Sequence, residues 1–157
     1  MALGIGHSRS WWMAAALAVC ALTGSSAQLA AKETTVDELK ERVAGASVPE
    51  RVLLCVQISE RQLDAADRFY VAGDTGKAQA ALVDVVAFSG LARDYAIQSH
   101  KHEKQSEIAI RKMARKLVNI KHTVAHEDQK QIQDTIDRLQ QIRDDLLAAM
   151  FPNGVKQ

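Results

Sequence analysis

Between Pro49 and Pro152 the chain runs for about a hundred residues with no proline and with glycine only at 73, 76 and 90. A stretch so poor in backbone breakers and rich in Ala, Leu, Gln, Glu, Lys and Arg is built for helices. The expected fold is therefore all-α: helical hairpins forming an elongated bundle, partly coiled-coil-like. Thr35 followed by Glu38 predicts a capped start to a short helix carrying Val36, Leu39 and Val43 and stopped by Gly45. Ser47 with Glu50, and Pro49 in the first turn, starts the next. Val52, Val56, Ser59, Leu63, Ala66 and Tyr70 then follow in steps of three and four, the stripe of one helix face. After Gly73, Asp74 or Thr75 can cap a third helix through Ala78, Leu82, Val85, Ser89, Ala92 and Ala96.

The segment ahead of this body has a different character. Arg9 is the lone charge before an apolar run from Trp11 to Leu22, and Ser25 and Ala27 are the small residues of a cleavage site. Residues 1–27 therefore read as a secretory signal peptide, cut after Ala27. Two alternatives stand beside this. An uncleaved anchor over residues 11–31, a run free of charge, approaches the roughly 20 residues a bilayer requires. Lipidation at Cys20 is the other, since Leu17-Ala18-Val19-Cys20 resembles a lipobox. Localisation follows: exported, periplasmic or secreted, or else membrane-anchored by residues 11–31. The remainder divides into a linker with a short helix, 28–46, and a helical domain, 47–157. Cleavage would remove one base, leaving 19 basic against 19 acidic residues, and would leave Cys55 as the single cysteine. A single thiol closes no internal disulfide, and within Leu53-Leu54-Cys55-Val56 it reads as a small buried hydrophobe.

Residues 99–107 contain no apolar side chain, so they are either a solvated stretch of one long helix or a loosened joint; with neither Gly nor Pro there, continuity or a mild kink is the favoured expectation. Ile110, Met113, Leu117, Ile120 and Val124 form one seam, and Ile132, Ile136, Leu139, Ile142, Leu146 and Met150 another. The seams fail to join between Val124 and Ile132, so hairpin turns are expected near 73–76 and 124–128. Seven bases and two acids lie from Ser99 to Thr123, three bases and six acids from Glu127 to Ala149. That asymmetry predicts a basic helix folded against an acidic one, with ion pairs choosing the register.

Phe69-Tyr70-Val71-Ala72-Gly73-Asp74, followed by Ala78 and Leu82, resembles the interhelical turn of a tetratricopeptide repeat. No second copy appears at a period near 34 residues, so the reading is a single repeat-like hairpin within a bundle. The resemblance implies protein or peptide binding, with Phe69, Tyr70 and Leu82 as candidate partner-binding residues. In joining a leader to a helical body, the chain also resembles small exported helical proteins of bacteria, a likeness that transfers no site.

Other chemistry is thinner. His122 and His126, four apart, could share a helical face as zinc or copper ligands, which makes them weak metal candidates; His100 and His102 form a second pair. If one helix runs through both pairs they stand about 33 Å apart and make no common site. Gly73-Asp-Thr-Gly-Lys77 lacks the residues and the preceding strand of a phosphate loop. The basic stretch from Lys101 to Lys121 could touch nucleic acid or anionic lipid, but it has no aromatic residue for base stacking and an acidic helix at hand, so pairing within the chain is the expectation and no nucleic-acid partner is expected. Asp64 with Asp67, Asp134 with Asp137, and Asp144 with Asp145 lie at helical surface spacings among Arg and Gln, where nothing would tune a carboxyl for acid or base work. The expectation is a non-enzymatic interaction module without cofactor, acting through a protein partner or self-association and touching a membrane only through an uncleaved N-terminal segment. A periplasmic metal-binding protein using His122 and His126, and a membrane-anchored envelope spacer, are the alternatives.

Overall fold

The computed structural model describes residues 34–152. The expected signal peptide with its cleavage after Ala27, and its alternatives, an anchor over residues 11–31 and lipidation at Cys20, lie outside the described residues. The described chain is an all-α bundle of five helices: α1 (Val36–Gly45), α2 (Val48–Val71), α3 (Thr75–Ser99), α4 (Glu103–Lys121) and α5 (His126–Met150).

Local chemistry sets most of the boundaries. The Glu38 carboxylate accepts from the Thr35 N–H at 2.9 Å while the Thr35 hydroxyl accepts from the Glu38 N–H at 3.2 Å, a closed capping box. At the start of α2 the Glu50 carboxylate accepts from both the N–H and the hydroxyl of Ser47, at 3.0 and 2.8 Å. The α2/α3 turn occupies Ala72, Gly73 and Asp74. Gly73 takes φ +76°, where a side chain would be strained, and donates to Tyr70 O, while the Asp74 N–H donates to Phe69 O. This paired closure satisfies carbonyls at the end of α2, and the Asp74 side chain then caps α3 through the Lys77 N–H.

The helices form two antiparallel hairpins, α2/α3 and α4/α5, packed side by side, with α1 against α2. Like helices run parallel. Lys116 on α4 meets Asp64 on α2, and Arg93 on α3 meets Asp145 on α5, both at 2.7 Å; Gln131 on α5 reaches Gln79 O on α3. Each of these pairs is 52 residues apart, so the second hairpin repeats the course of the first in constant register. One core joins all four long helices, with Leu63, Leu82, Ile110, Leu117, Ile132, Leu139 and Leu146 among its buried members. The α2/α3 contact is lined by small residues, and there the Ser89 hydroxyl donates to the Ser59 hydroxyl at 3.2 Å, which donates to Cys55 O at 3.0 Å. α1 adds Leu39 over Leu54 and Ile58, and Lys40 reaches across to Asp84 on α3 at 2.8 Å.

Two expectations require correction. The helix does not continue through residues 99–107: α3 stops at Ser99, and His100 and His102 both adopt left-handed backbone, φ 51° and 63°, before α4 begins at Glu103. The chain thus turns without Gly or Pro, because burial of α3 and α4 on either side outweighs local backbone preference. Nor do the bases of α4 pair with the acids of α5. Among the described residues the ion pair that joins these helices runs the other way, from Arg143 on α5 to Glu107 on α4 at 2.7 Å. Lys116 turns instead to Asp64 and Asp67 of α2, and Asp145 to Arg93 of α3. The apolar seam fixes how each helix is rotated, and that rotation leaves Lys104, Lys112 and Arg115 in solvent.

Candidate interaction surface

The residues singled out from the repeat-like turn do not form one exposed patch. Leu82 is 1 % exposed and belongs to the central core. Tyr70 packs against the same core, and its hydroxyl is buried without a hydrogen-bond partner. Burial, and secondly the nearby Asp128 carboxylate, push the Tyr70 phenol up to about 12, so it stays neutral in ordinary buffers. Phe69 is half-buried at the end of α2, with the Lys77 ammonium 5.8 Å from its ring centre. Of the three, Phe69 and the rim of Tyr70 remain reachable.

The histidines separate too. His122 caps the end of α4 and His126 opens α5, so they lie on different helices across a turn and share no helical face. His100 and His102 sit at the opposite end of α4, about 28 Å away for a helix of this length. Their nearest polar neighbours are local: Glu103 at 3.6 Å from His100 and Gln105 at 3.2 Å from His102. Among the described residues no group of three or more His, Cys, Asp or Glu side chains converges as metal ligands would. Cys55 is fully buried, and desolvation pushes its thiol up to about 11, which makes it a weak nucleophile.

A different surface comes from α3. Its inward face is Ala78, Ala81, Leu82, Val85, Ser89, Ala92 and Ala96, all buried. Its outward face carries Ala80, Val83, Ala87 and Leu91, again at steps of three and four, with Gly76 ahead of them, Gly90 among them and Asp94 as a charged residue toward one end. Val83 is 62 % and Leu91 38 % exposed. Apolar residues therefore run all round α3, a distribution that normally marks a helix enclosed on every side. The pattern lies in the sequence as a second stripe offset from the first, and only the rotation of the helix shows which stripe is left uncovered.

Beside this face a groove runs between α3 and α5. One part, about 390 Å³, has Leu82, Val83, Val86 and Ala87 on one wall and Gln131, Asp134, Thr135 and Arg138 on the other. A second part of about 330 Å³ shares Val86, Ala87 and Arg138 and continues past Gly90, Leu91 and Asp94 to Gln141 and Ile142. The result is an apolar channel along α3 with a polar rim on α5. It offers no convergent nucleophile, base or metal set. It can take apolar side chains while Asp94, Asp134 and Arg138 meet polar groups at the edge. No protein family, curated protein or solved structure matches the chain.

Proposed function

We propose that this is an exported, non-enzymatic interaction module whose α3 outer face and α3/α5 groove receive an amphipathic helix of a partner protein. The observation that carries the reading is the second apolar stripe of α3, Ala80, Val83, Ala87 and Leu91, lying uncovered beside the groove. These four stand at i, i+3, i+7 and i+11, one continuous face against which the apolar anchors of a second helix can lie. Uncovered apolar surface rimmed by polar residues is the usual chemistry of a protein contact. Gly90 and Ala87 add close approach, since a small side chain lets a second backbone come near. Export rests on the leader-like composition of residues 1–27 and the small residues Ser25 and Ala27.

A photo-reactive amino acid placed at Val83, Ala87 or Leu91, with Arg68 and Lys130 as exposed positions elsewhere, tests this in the cells that make the protein. One discrete adduct confined to the α3 positions, and lost when Ala87→Asp is added to the Val83 probe, is the expected result. Adducts spread equally over all five positions would reject the α3 face. N-terminal sequencing of the same material distinguishes a chain cut after Ala27 from one anchored by residues 11–31.

A further inference from the structure

We infer that the solvent face of α4 docks electrostatically on an anionic lipid bilayer, as a contact separate from the α3 groove. Lys104, Lys112 and Arg115, eight and three residues apart, lie on the arc of α4 that points away from the bundle, and Lys101 stands exposed in the turn just ahead of the helix. None of these four side chains makes an ion pair or side-chain hydrogen bond with any described residue. The neighbouring acids are mostly engaged elsewhere: Asp64 and Asp67 with Lys116, Glu107 with Arg143 and Arg111. Glu60, on α2, borders Lys112 across a shallow groove. The face therefore keeps an uncompensated positive row although the whole chain is close to neutral, +1.

The class of anion follows from what lies between the cations. Ile108, 45 % exposed, interrupts the row and Val118 flanks its far end. Aliphatic side chains among ammonium and guanidinium groups suit a surface that offers negative headgroups with hydrocarbon just beneath. Single-stranded nucleic acid would call for aromatic platforms, and α4 has none. From Lys104 to Arg115 the row spans about 16 Å, long enough to meet several headgroups at once. Each basic residue held near such a surface strengthens binding about fivefold, and the attraction falls off within a Debye length, so salt weakens it.

The test uses the full chain and co-sedimentation with two kinds of vesicle: neutral phosphatidylcholine, and phosphatidylcholine mixed with phosphatidylglycerol. Any contribution of residues 1–33 is common to every variant and is read from the neutral vesicles. The expected result is tighter binding to the anionic vesicles, lost at high salt and weakened about a hundredfold by K104Q/K112Q/R115Q together. Lysine-to-arginine exchange at 104 and 112 should keep the binding, and Arg138→Gln on α5 should leave it unchanged, with helical circular dichroism the same throughout. Equal affinity of the triple variant and the parent for anionic vesicles would overturn the inference. So would binding by the parent to a single-stranded oligonucleotide or an acidic peptide in preference to anionic vesicles. Failure here leaves the α3 crosslinking result standing, since the two faces share no residue.

Discussion

α3, of 25 residues, and α4, of 19, each bury seven of them, yet they face inward and outward with opposite chemistry. α3 meets its neighbours with Ala78, Ala81, Ser89, Ala92 and Ala96 and presents Val83, Ala87 and Leu91 to solvent. α4 meets them with Ile110, Met113, Leu117 and Ile120 and presents Lys104, Lys112 and Arg115. Small inward residues let α3 lie close to α2 and still touch α4 and α5, which places it at the centre of the contacts. Large inward residues let α4 reach α2, α3 and α5 through the length of its side chains. The outward faces then diverge: α4 is a solvated amphipathic helix, while α3 carries an apolar surface that water alone does not explain.

The largest expected effect breaks α4. Leu117 is fully buried, so Leu117→Ala should lower stability by about 2–5 kcal/mol in urea unfolding. A loss below about 1 kcal/mol would mean that α4 is not held by its large side chains. The matching experiment on α3 enlarges instead of truncating. Ala92, fully buried, has no room for branches, and Ala92→Leu should cost about 1–3 kcal/mol. If that variant were as stable as the parent, the close approach of α3 to its neighbours would be wrong.

Smaller effects sharpen how the two helices begin. α3 starts on an Asp74 cap, whereas α4 starts at a left-handed His102 with no side-chain cap. His102→Gly should raise stability, by about 1 kcal/mol, because glycine adopts positive φ without steric cost. A drop in the thermal midpoint of this variant would show that the imidazole contributes more than its backbone costs. The smallest effect is a pH limb. Hydrogen bonds from Ser47 hold Glu50 below its ordinary 4.5, and those from Lys77 hold Asp74 below its ordinary 3.8. Depressed carboxylates contribute stability in full above those ordinary values and lose it as pH falls through the lower folded ones. Acid titration of the unfolding midpoint should therefore show a decline below that range that is shallower in Glu50→Gln/Asp74→Asn, and an unchanged slope would count against both caps.

Much of the fold was legible because burial follows periodicity. The stripes Val52 to Ala66, Ala78 to Ala96, Ile110 to Ile120 and Ile132 to Leu146 are buried as their spacing predicts. Both capping boxes and the Gly73 turn follow from short-range chemistry and sit where the residues place them. What failed depends on distance. The break at His100 to His102 has no breaker residue to announce it, because tertiary packing imposes it. The pairing of charges depends on how far each helix is rotated about its axis, so counting bases on α4 and acids on α5 could not show that Lys116 would choose α2 or that Arg143 would pair with Glu107. Leu82 illustrates the limit for the candidate site. Its spacing allows both a core and a partner-binding role, and only the packing shows that a side chain 1 % exposed belongs first to the core and reaches the α3/α5 groove merely as part of its wall.

The constant separation of 52 residues between Lys116 and Asp64, Gln131 and Gln79, and Arg93 and Asp145 has a kinetic meaning. α2 packs most extensively on α3 and α4 on α5, each joined to its partner by a short turn, so most of the ordering entropy can be met locally before distant segments search for one another. Assembly then reduces to two zippering steps and one docking step. The first hairpin can form as it emerges, ahead of the second, and the late event is the meeting of two preformed surfaces. Pulsed hydrogen exchange would see this as two protection phases, with amides inside each hairpin slowing before the Glu60 and Leu63 side of α2 gains its α4 cover.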